Sequence, residues 1–101
     1  RAADPILRDL ATLYWVTRQI DSGDPGLLLA RIGPLAAPDH PLRALAAEAQ
    51  ALLAIRQDKP DTARDILKRL AQDVTAPDGV RGRANGLLAQ LGAPSGSGTA
   101  P

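Results

Sequence analysis

The sequence predicts an all-α protein built from stacked helical hairpins, an α-solenoid. Its 101 residues include 19 Ala and 16 Leu, the strongest helix formers, with one Trp, one Tyr and no Phe. Val, Ile, Thr and aromatic residues are few and do not alternate, so little favours strands. The turn Asp24-Pro25, followed by apolar residues, is matched 35 residues later by Lys59-Pro60. A period in the mid-thirties is typical of two-helix repeats.

The repeat extends to the helices that precede these turns. A Leu-Arg or Val-Arg dipeptide recurs there three times, at Leu7-Arg8, Leu42-Arg43 and Val80-Arg81. The third copy follows the second by 38 residues and is partial. We therefore expect a right-handed superhelical array of about two and a half antiparallel hairpins, or five helices, over residues 1–91.

The first helix is expected to begin at Asp4-Pro5, because Asp caps free N–H groups and Pro suits the first helical position. We expect it to end at Gly23 in a left-handed conformation. Apolar residues spaced by three and four predict its core face. They are Ile6, Leu7, Leu10, Ala11, Leu13, Tyr14 and Ile20.

The second helix should start at Asp24-Pro25 and be interrupted at Gly33-Pro34, since Pro cannot donate to the helical ladder. The third, rich in Ala, is predicted over residues 42–57, and His40 in the loop before it could help to cap it.

The fourth helix is predicted over residues 60–73, with a core face that extends to Val74. The fifth follows Thr75-Ala76-Pro77 and is weakened by three glycines, so we expect it to be a capping element held by packing. Residues 92–101 lack periodicity and are predicted to be a disordered tail.

The segment DKPDTARDILKRLAQDVTAP resembles the second half of a tetratricopeptide repeat, although the aromatic and glycine of the usual first helix are missing. From Arg1 to Gly92 the chain is similar to the bacterial tetratricopeptide-like domain shared by ancillary Sec-translocon subunits and cell-division coordinators. The segments DPILRDLATLYW, IGPLAAPDHPLRALAAEAQALLA and GVRGRANGLLAQLG carry this resemblance. It implies a membrane-anchored protein whose periplasmic helical domain binds other proteins. The chain opens within the repeat pattern, which suggests a piece of a longer protein.

Composition argues against several other classes of function. The net charge is +1 and the basic residues are scattered, so nothing indicates binding to nucleic acid or anionic lipid. There is no Cys and a single His, which disfavours a metal site. No apolar run is long enough to span a membrane. The Asp pairs at the two equivalent turns are interpreted as turn residues rather than catalytic carboxylates. We expect no catalytic residue, cofactor or metal.

Four residues are candidates for binding a partner protein. Trp15 is expected to pack between repeats or on a binding surface, with Tyr14 packed against the second helix beside Leu7 and Leu10. Arg8, Arg43 and Arg81 fall in the first turns of their helices, where the macrodipole disfavours cations. Our first hypothesis is that each bonds to carbonyls or an Asp of the neighbouring inter-repeat loop; partner binding is the second.

The sequence therefore predicts a protein-interaction scaffold, on the periplasmic side of the bacterial inner membrane, that binds proteins or peptide segments. Self-association through the N-terminal face is a further expectation. Two alternatives stay open: a structural, homo-oligomerising domain, and a helical regulatory appendage of an enzyme.

Overall fold

The computed structural model describes residues 4–92, which form helices joined by short connecting segments. Five α-helices were predicted and five are found among these residues, with no strand. They are α1 (Pro5–Arg18), α2 (Pro25–Ile32), α3 (Arg43–Arg56), α4 (Pro60–Gln72) and α5 (Asp78–Leu91), with a short 3-10 helix at Gly33–Ala36. The all-α class is confirmed. The tail predicted over residues 92–101 lies, from residue 93 onward, outside the described residues.

The first two helices start as predicted. The Asp4 carboxylate accepts a hydrogen bond from the backbone N–H of Ile6 at 2.9 Å, and that of Asp24 accepts from Gly26 at 3.2 Å. A proline follows each cap at the first helical position, where its missing N–H costs nothing. The interruption at Gly33-Pro34 is also confirmed, because the chain tightens there into the 3-10 helix.

The end of α1 differs from the prediction. The helix stops at Arg18, and Gly23 does not have a positive φ; within residues 4–92 only Asp58 and Gly92 do. Gly23 is instead a point of close approach. A Cβ there would lie 3.0 Å from Leu28 Cδ1 and 3.1 Å from Gln19 Cβ, so a side chain at this position would require its neighbours to shift by a few tenths of an ångström.

Each helix packs on the next one along the chain, and the connections are short, so neighbours run antiparallel. In addition α1 contacts α3, and α3 contacts α5. This packing is compatible with a helical solenoid. Helix α3 lies in the middle and touches every other helix of the described chain.

Two hydrophobic clusters hold the stack together, and α3 contributes to both. The first joins α1, α2 and the 3-10 helix to one side of α3, and the second joins the other side of α3 to α4 and α5. A helix with neighbours on both sides needs small side chains, which explains why α3 is rich in Ala. The clusters consist of Val16, Leu28, Ile32, Leu35, Ala46, Ala49 and Leu53, and of Ala44, Ala51, Ala54, Ala63, Leu67, Leu70, Ala76, Val80 and Ala84.

The prediction that Val74 extends the core face of α4 is wrong. Helix α4 ends at Gln72, and Val74 lies in the following turn with its side chain exposed to solvent. Ala76, two residues later, is the one that enters the second cluster.

Candidate functional site

Helix α1 buries only one of its two apolar sides. Val16 is fully buried, with Leu13 and Ile20 partly buried beside it. On the opposite side, Leu7 is 61% and Tyr14 67% exposed. The prediction that Tyr14 packs against the second helix with Leu7 and Leu10 is therefore wrong. These side chains face away from α2 and α3.

The contrast with α3 shows what is unusual about this exposure. Helix α3 buries Ala46, Ala49 and Leu53 toward the preceding hairpin, and other alanines toward the following one. A helix that is apolar all round is normally covered all round. Helix α1 has two apolar sides and one covered side. We refer to the uncovered side as the α1 outer face; it comprises Leu7, Leu10, Ala11, Tyr14 and Arg18.

Trp15 lies at the edge of the α1 outer face, 38% exposed. The guanidinium of Arg31, on α2, stacks over its ring at 5.2 Å from the centroid. The indole separates two shallow clefts of about 330 and 440 Å³. The smaller cleft is lined by Arg8, Ala11, Thr12, Trp15 and Arg31, and the larger by Ala11, Tyr14, Trp15, Arg18 and Gln19.

The structure thus brings Trp15 and Arg8 together among the predicted partner-binding residues. It adds Arg31, which the sequence did not single out because the residue belongs to the next helix. Arg18 stacks over the Tyr14 ring at 5.9 Å. Among residues 4–92, no carboxylate forms a salt bridge with Arg8, Arg18 or Arg31. The apolar surface is therefore bordered by positive charge.

Arg43 lies elsewhere and has a structural role. Its Nη1 donates to Asp73 Oδ2 at 2.6 Å, and its other terminal nitrogen donates to the Thr75 hydroxyl. Both partners lie in the loop between α4 and α5, so the inter-repeat hypothesis is confirmed for Arg43. Hydrogen bonds from Thr75 and from Arg43 lower the pKa of Asp73 to about 2, since they favour its charged form.

The same hypothesis is wrong for Arg81. Its guanidinium bonds to Asp78 in the first turn of the same helix, rather than to a neighbouring loop. Its Nε is buried and has no hydrogen-bond partner within the part of the chain that the structure describes. The three arginines that the repeat aligns thus have three different surroundings: a cleft beside Trp15, an inter-repeat ion pair, and a local pair within α5.

His40 links α1 to the segment that leads into α3. Its Nδ1 accepts from the backbone N–H of Leu42, the residue before α3, at 2.9 Å, but no side chain caps the free N–H groups within α3 itself. Its Nε2 lies 2.7 Å from Asp9 Oδ2. Because Nδ1 acts as acceptor in this network, the neutral ring carries its hydrogen on Nε2 and donates it to Asp9.

Two further arginines bind backbone carbonyls that follow or end a helix, and neither was predicted from the sequence. Arg56, at the end of α3, donates to the carbonyls of Ile20 at 3.1 Å and Gly23 at 2.7 Å, in the α1–α2 turn. Arg64 is buried in α4 and donates to the carbonyls of Leu91 and Gly92, which end α5. An arginine near a helix end is visible in the sequence. The carbonyls that these two bind lie more than 25 residues away along the chain, so the sequence alone does not show which ones they are.

A groove lies on another side of the molecule, where α1, α3 and α5 meet. Its cavity measures about 270 Å³ and is mostly apolar. At one side, the Arg83 guanidinium forms two hydrogen bonds to Glu48, at 2.6 and 2.9 Å, and this ion pair raises the pKa of Arg83. The lining residues are Leu13, Thr17, Ile20, Leu45, Glu48, Ala49, Leu52 and Arg83.

Residues 4–92 hold no group of three or more side chains that could ligate a metal ion. None of the helices in this part of the chain is long and apolar enough to cross a bilayer. A comparison with protein-family models, curated proteins and solved structures finds no match to the chain.

Proposed function

We propose that this chain is a tetratricopeptide-like interaction module that binds another protein through the α1 outer face, without catalysing a reaction. One observation carries the proposal: the central helix α3 is covered on both apolar sides, whereas α1 is covered on one. Contiguous apolar surface with a polar rim is typical of protein-binding sites. Here Leu7, Leu10 and Tyr14 supply the apolar part, and arginines the rim.

The rim adds specificity to this surface. Aromatic residues and Arg are the types most enriched at binding hot spots, because they combine large contact area with directed polar groups. Trp15, with Arg31 stacked on its ring and Arg8 in the same cleft, has this composition. The docked partner would shield the aromatic rings from water, and acidic groups on it would pair with the guanidinium groups.

The place of action that we propose rests on the resemblance described above. A helical domain similar to those of ancillary translocon subunits and cell-division coordinators would act on the periplasmic side of the bacterial inner membrane. Its partners would be other proteins or peptide segments of the envelope. The proposal includes a membrane anchor in the natural protein, outside this 101-residue sequence.

Site-specific photo-crosslinking in the bacterial cell tests this function. A photoreactive phenylalanine analogue would replace Tyr14 on the α1 outer face, Leu52 in the groove, or Val74, an exposed apolar control. We expect a discrete crosslinked protein from position 14 and none from position 74.

Binding must then be reproduced with the purified crosslinked protein and be lost on Leu10→Asp. Crosslinks from position 52 alone would move the site to the groove. Equal crosslinking at 14 and 74 would contradict a defined binding surface.

A further inference from the structure

On the α1 outer face and at the Asp4 cap beside it, residues are spaced nearly evenly on either side of Ala11. Ala11 is at the centre, and Leu7 and Tyr14 lie on either side of it. Asp4 and Arg18 lie one further turn out, each seven residues from Ala11. At 1.5 Å rise per residue, both charges are about 10 Å from the central alanine along the axis.

We propose that the α1 outer face binds a second copy of the same chain, with the two α1 helices antiparallel about a twofold axis near Ala11. This inference rests on the proposed function and names its partner. The antiparallel arrangement places Leu7 of each copy beside Tyr14 of the other. The small side chain of Ala11 lets the helices approach closely where they cross.

The opposite charges of Asp4 and Arg18 favour this partner and this orientation. In the antiparallel arrangement the Asp4 carboxylate of each copy lies beside the Arg18 guanidinium of the other, so two ion pairs form by symmetry. Arg18 has no salt-bridge partner among residues 4–92 of its own chain. Antiparallel helices also bring opposite ends of their dipoles together. A parallel pairing would instead set Arg18 beside Arg18.

The other end of the stack disfavours a head-to-tail arrangement. Helix α5 turns its apolar residues toward the second cluster, and its outward side carries glycines and amides. Ala89 is the one apolar side chain among the exposed residues of α5, so the α1 outer face would find little apolar surface to cover there. The pairing therefore closes at two copies instead of continuing into a filament. The exposed residues of α5 include Gly79, Gly82, Asn85, Gly86 and Gln90.

Sedimentation velocity of the 101-residue chain at increasing concentration tests the pairing. We expect a reversible monomer–dimer equilibrium with no larger species. Leu10→Asp should weaken the dimer at least tenfold, whereas the control Asn85→Asp, on the outward side of α5, should leave it unchanged. A dimer indifferent to Leu10→Asp, or growth beyond two copies, would overturn the proposal.

A charge exchange tests the antiparallel arrangement itself. Arg18→Glu alone sets two acidic groups together twice, and Asp4→Lys alone does the same with basic groups, so each variant should be monomeric. An equimolar mixture of the two forms attractive contacts at both places and should dimerise. Failure of the mixture to dimerise, while circular dichroism shows both variants folded, would overturn this arrangement.

The outcomes separate the two proposals. A chain that stays monomeric at all concentrations but crosslinks to another protein from position 14 would refute the second copy and leave the proposed function standing. A monomer without such a crosslink would refute both.

Discussion

The two ends of the helix stack differ in what they present to solvent. At the C-terminal end, α5 packs Val80 and Ala84 into the core and turns glycines and amides outward. At the N-terminal end, α1 turns Leu7 and Tyr14 outward. The outward side of α5 is thus mainly polar and that of α1 is apolar, which is why we assign binding to α1.

The largest expected effect is a difference in the free energy of unfolding between substitutions on the covered and the uncovered side of the first hairpin, α1 and α2. Leu53 is fully buried between α3 and that hairpin. Leu53→Ala should lower the free energy of unfolding by about 2–5 kcal/mol, through lost burial and the cavity that remains. Leu7→Ala, the matched change on the α1 outer face, should cost less than about 0.5 kcal/mol in the dilute monomer.

Urea denaturation of both variants measures this difference. Similar losses for the two would show that the α1 outer face is covered within the chain, and the contrast between the ends would disappear.

The next effect concerns how the C-terminal end is held. Arg64 is buried and bonds to both carbonyls that end α5, and also to Asp61. Arg64→Ala should cost about 2 kcal/mol, because hydrogen bonds from a buried charged group to two backbone carbonyls are lost.

Arg81→Ala is the matched control. Arg81 forms an ion pair with the exposed Asp78, three residues before it, just as Arg64 does with Asp61. It should cost no more than about 1 kcal/mol. Hydrogen exchange should show faster opening of the last turn of α5 only in the Arg64 variant. Unchanged exchange there would refute this role of Arg64.

Glycine substitutions are expected to change stability less, and they compare the same two ends of the stack. Gly82 lies on the outward side of α5 with open space around it, so Gly82→Ala should stabilise the chain by about 0.5–1 kcal/mol. Gly23→Ala should destabilise it, because the new Cβ would meet Leu28 and Gln19. Thermal melts of the two variants should therefore shift in opposite directions. A shift in the same direction would contradict the packing described for one of the two glycines.

The smallest expected effect is a loss of stability at acidic pH, caused by protonation of Asp73 in the loop before α5. Arg43–Asp73 is partly exposed to solvent, so its contribution is modest. The pKa of Asp73 falls from 3.8 to about 2 on folding, so the unfolded chain takes up a proton first as pH decreases. The stability that this carboxylate contributes is complete above pH 4 and is lost between about pH 4 and 2.

Asp73→Asn should flatten the pH dependence of stability in that window, as measured by urea denaturation at each pH. An unchanged pH dependence would show that other carboxylates cause it. Arg43→Ala should lower the melting temperature, and weakened partner binding without a change in melting would instead favour a binding role.

Much of the fold followed from local rules that a sequence displays. The caps at Asp4 and Asp24, the interruption at Gly33-Pro34 and the number of helices depend on neighbours within a few residues. The conformation of Gly23 did not follow, because a glycine after a helix fits a left-handed cap and a close approach equally well. The positions of Leu28 and Gln19 around Gly23 show the close approach.

The candidate site was harder to predict, for the same physical reason. Helical periodicity marks Leu7, Leu10 and Tyr14 as apolar, but it does not tell which of two apolar sides has a neighbour. The sequence assigned these residues to the core, whereas the stack covers the opposite side around Val16. Trp15 was singled out because it is the one tryptophan. Its contact with Arg31 depends on how α2 packs against α1.

Carbene footprinting of the dilute chain tests most directly whether one end of the stack is open and the other closed. We predict strong labelling of Leu7, Leu10 and Tyr14, weak labelling of Val80 and Ala84, and reduced labelling of the α1 outer face when the chain binds its partner. Protection of the α1 outer face in the dilute monomer would contradict the account, as would labelling of α5's apolar side to the same extent.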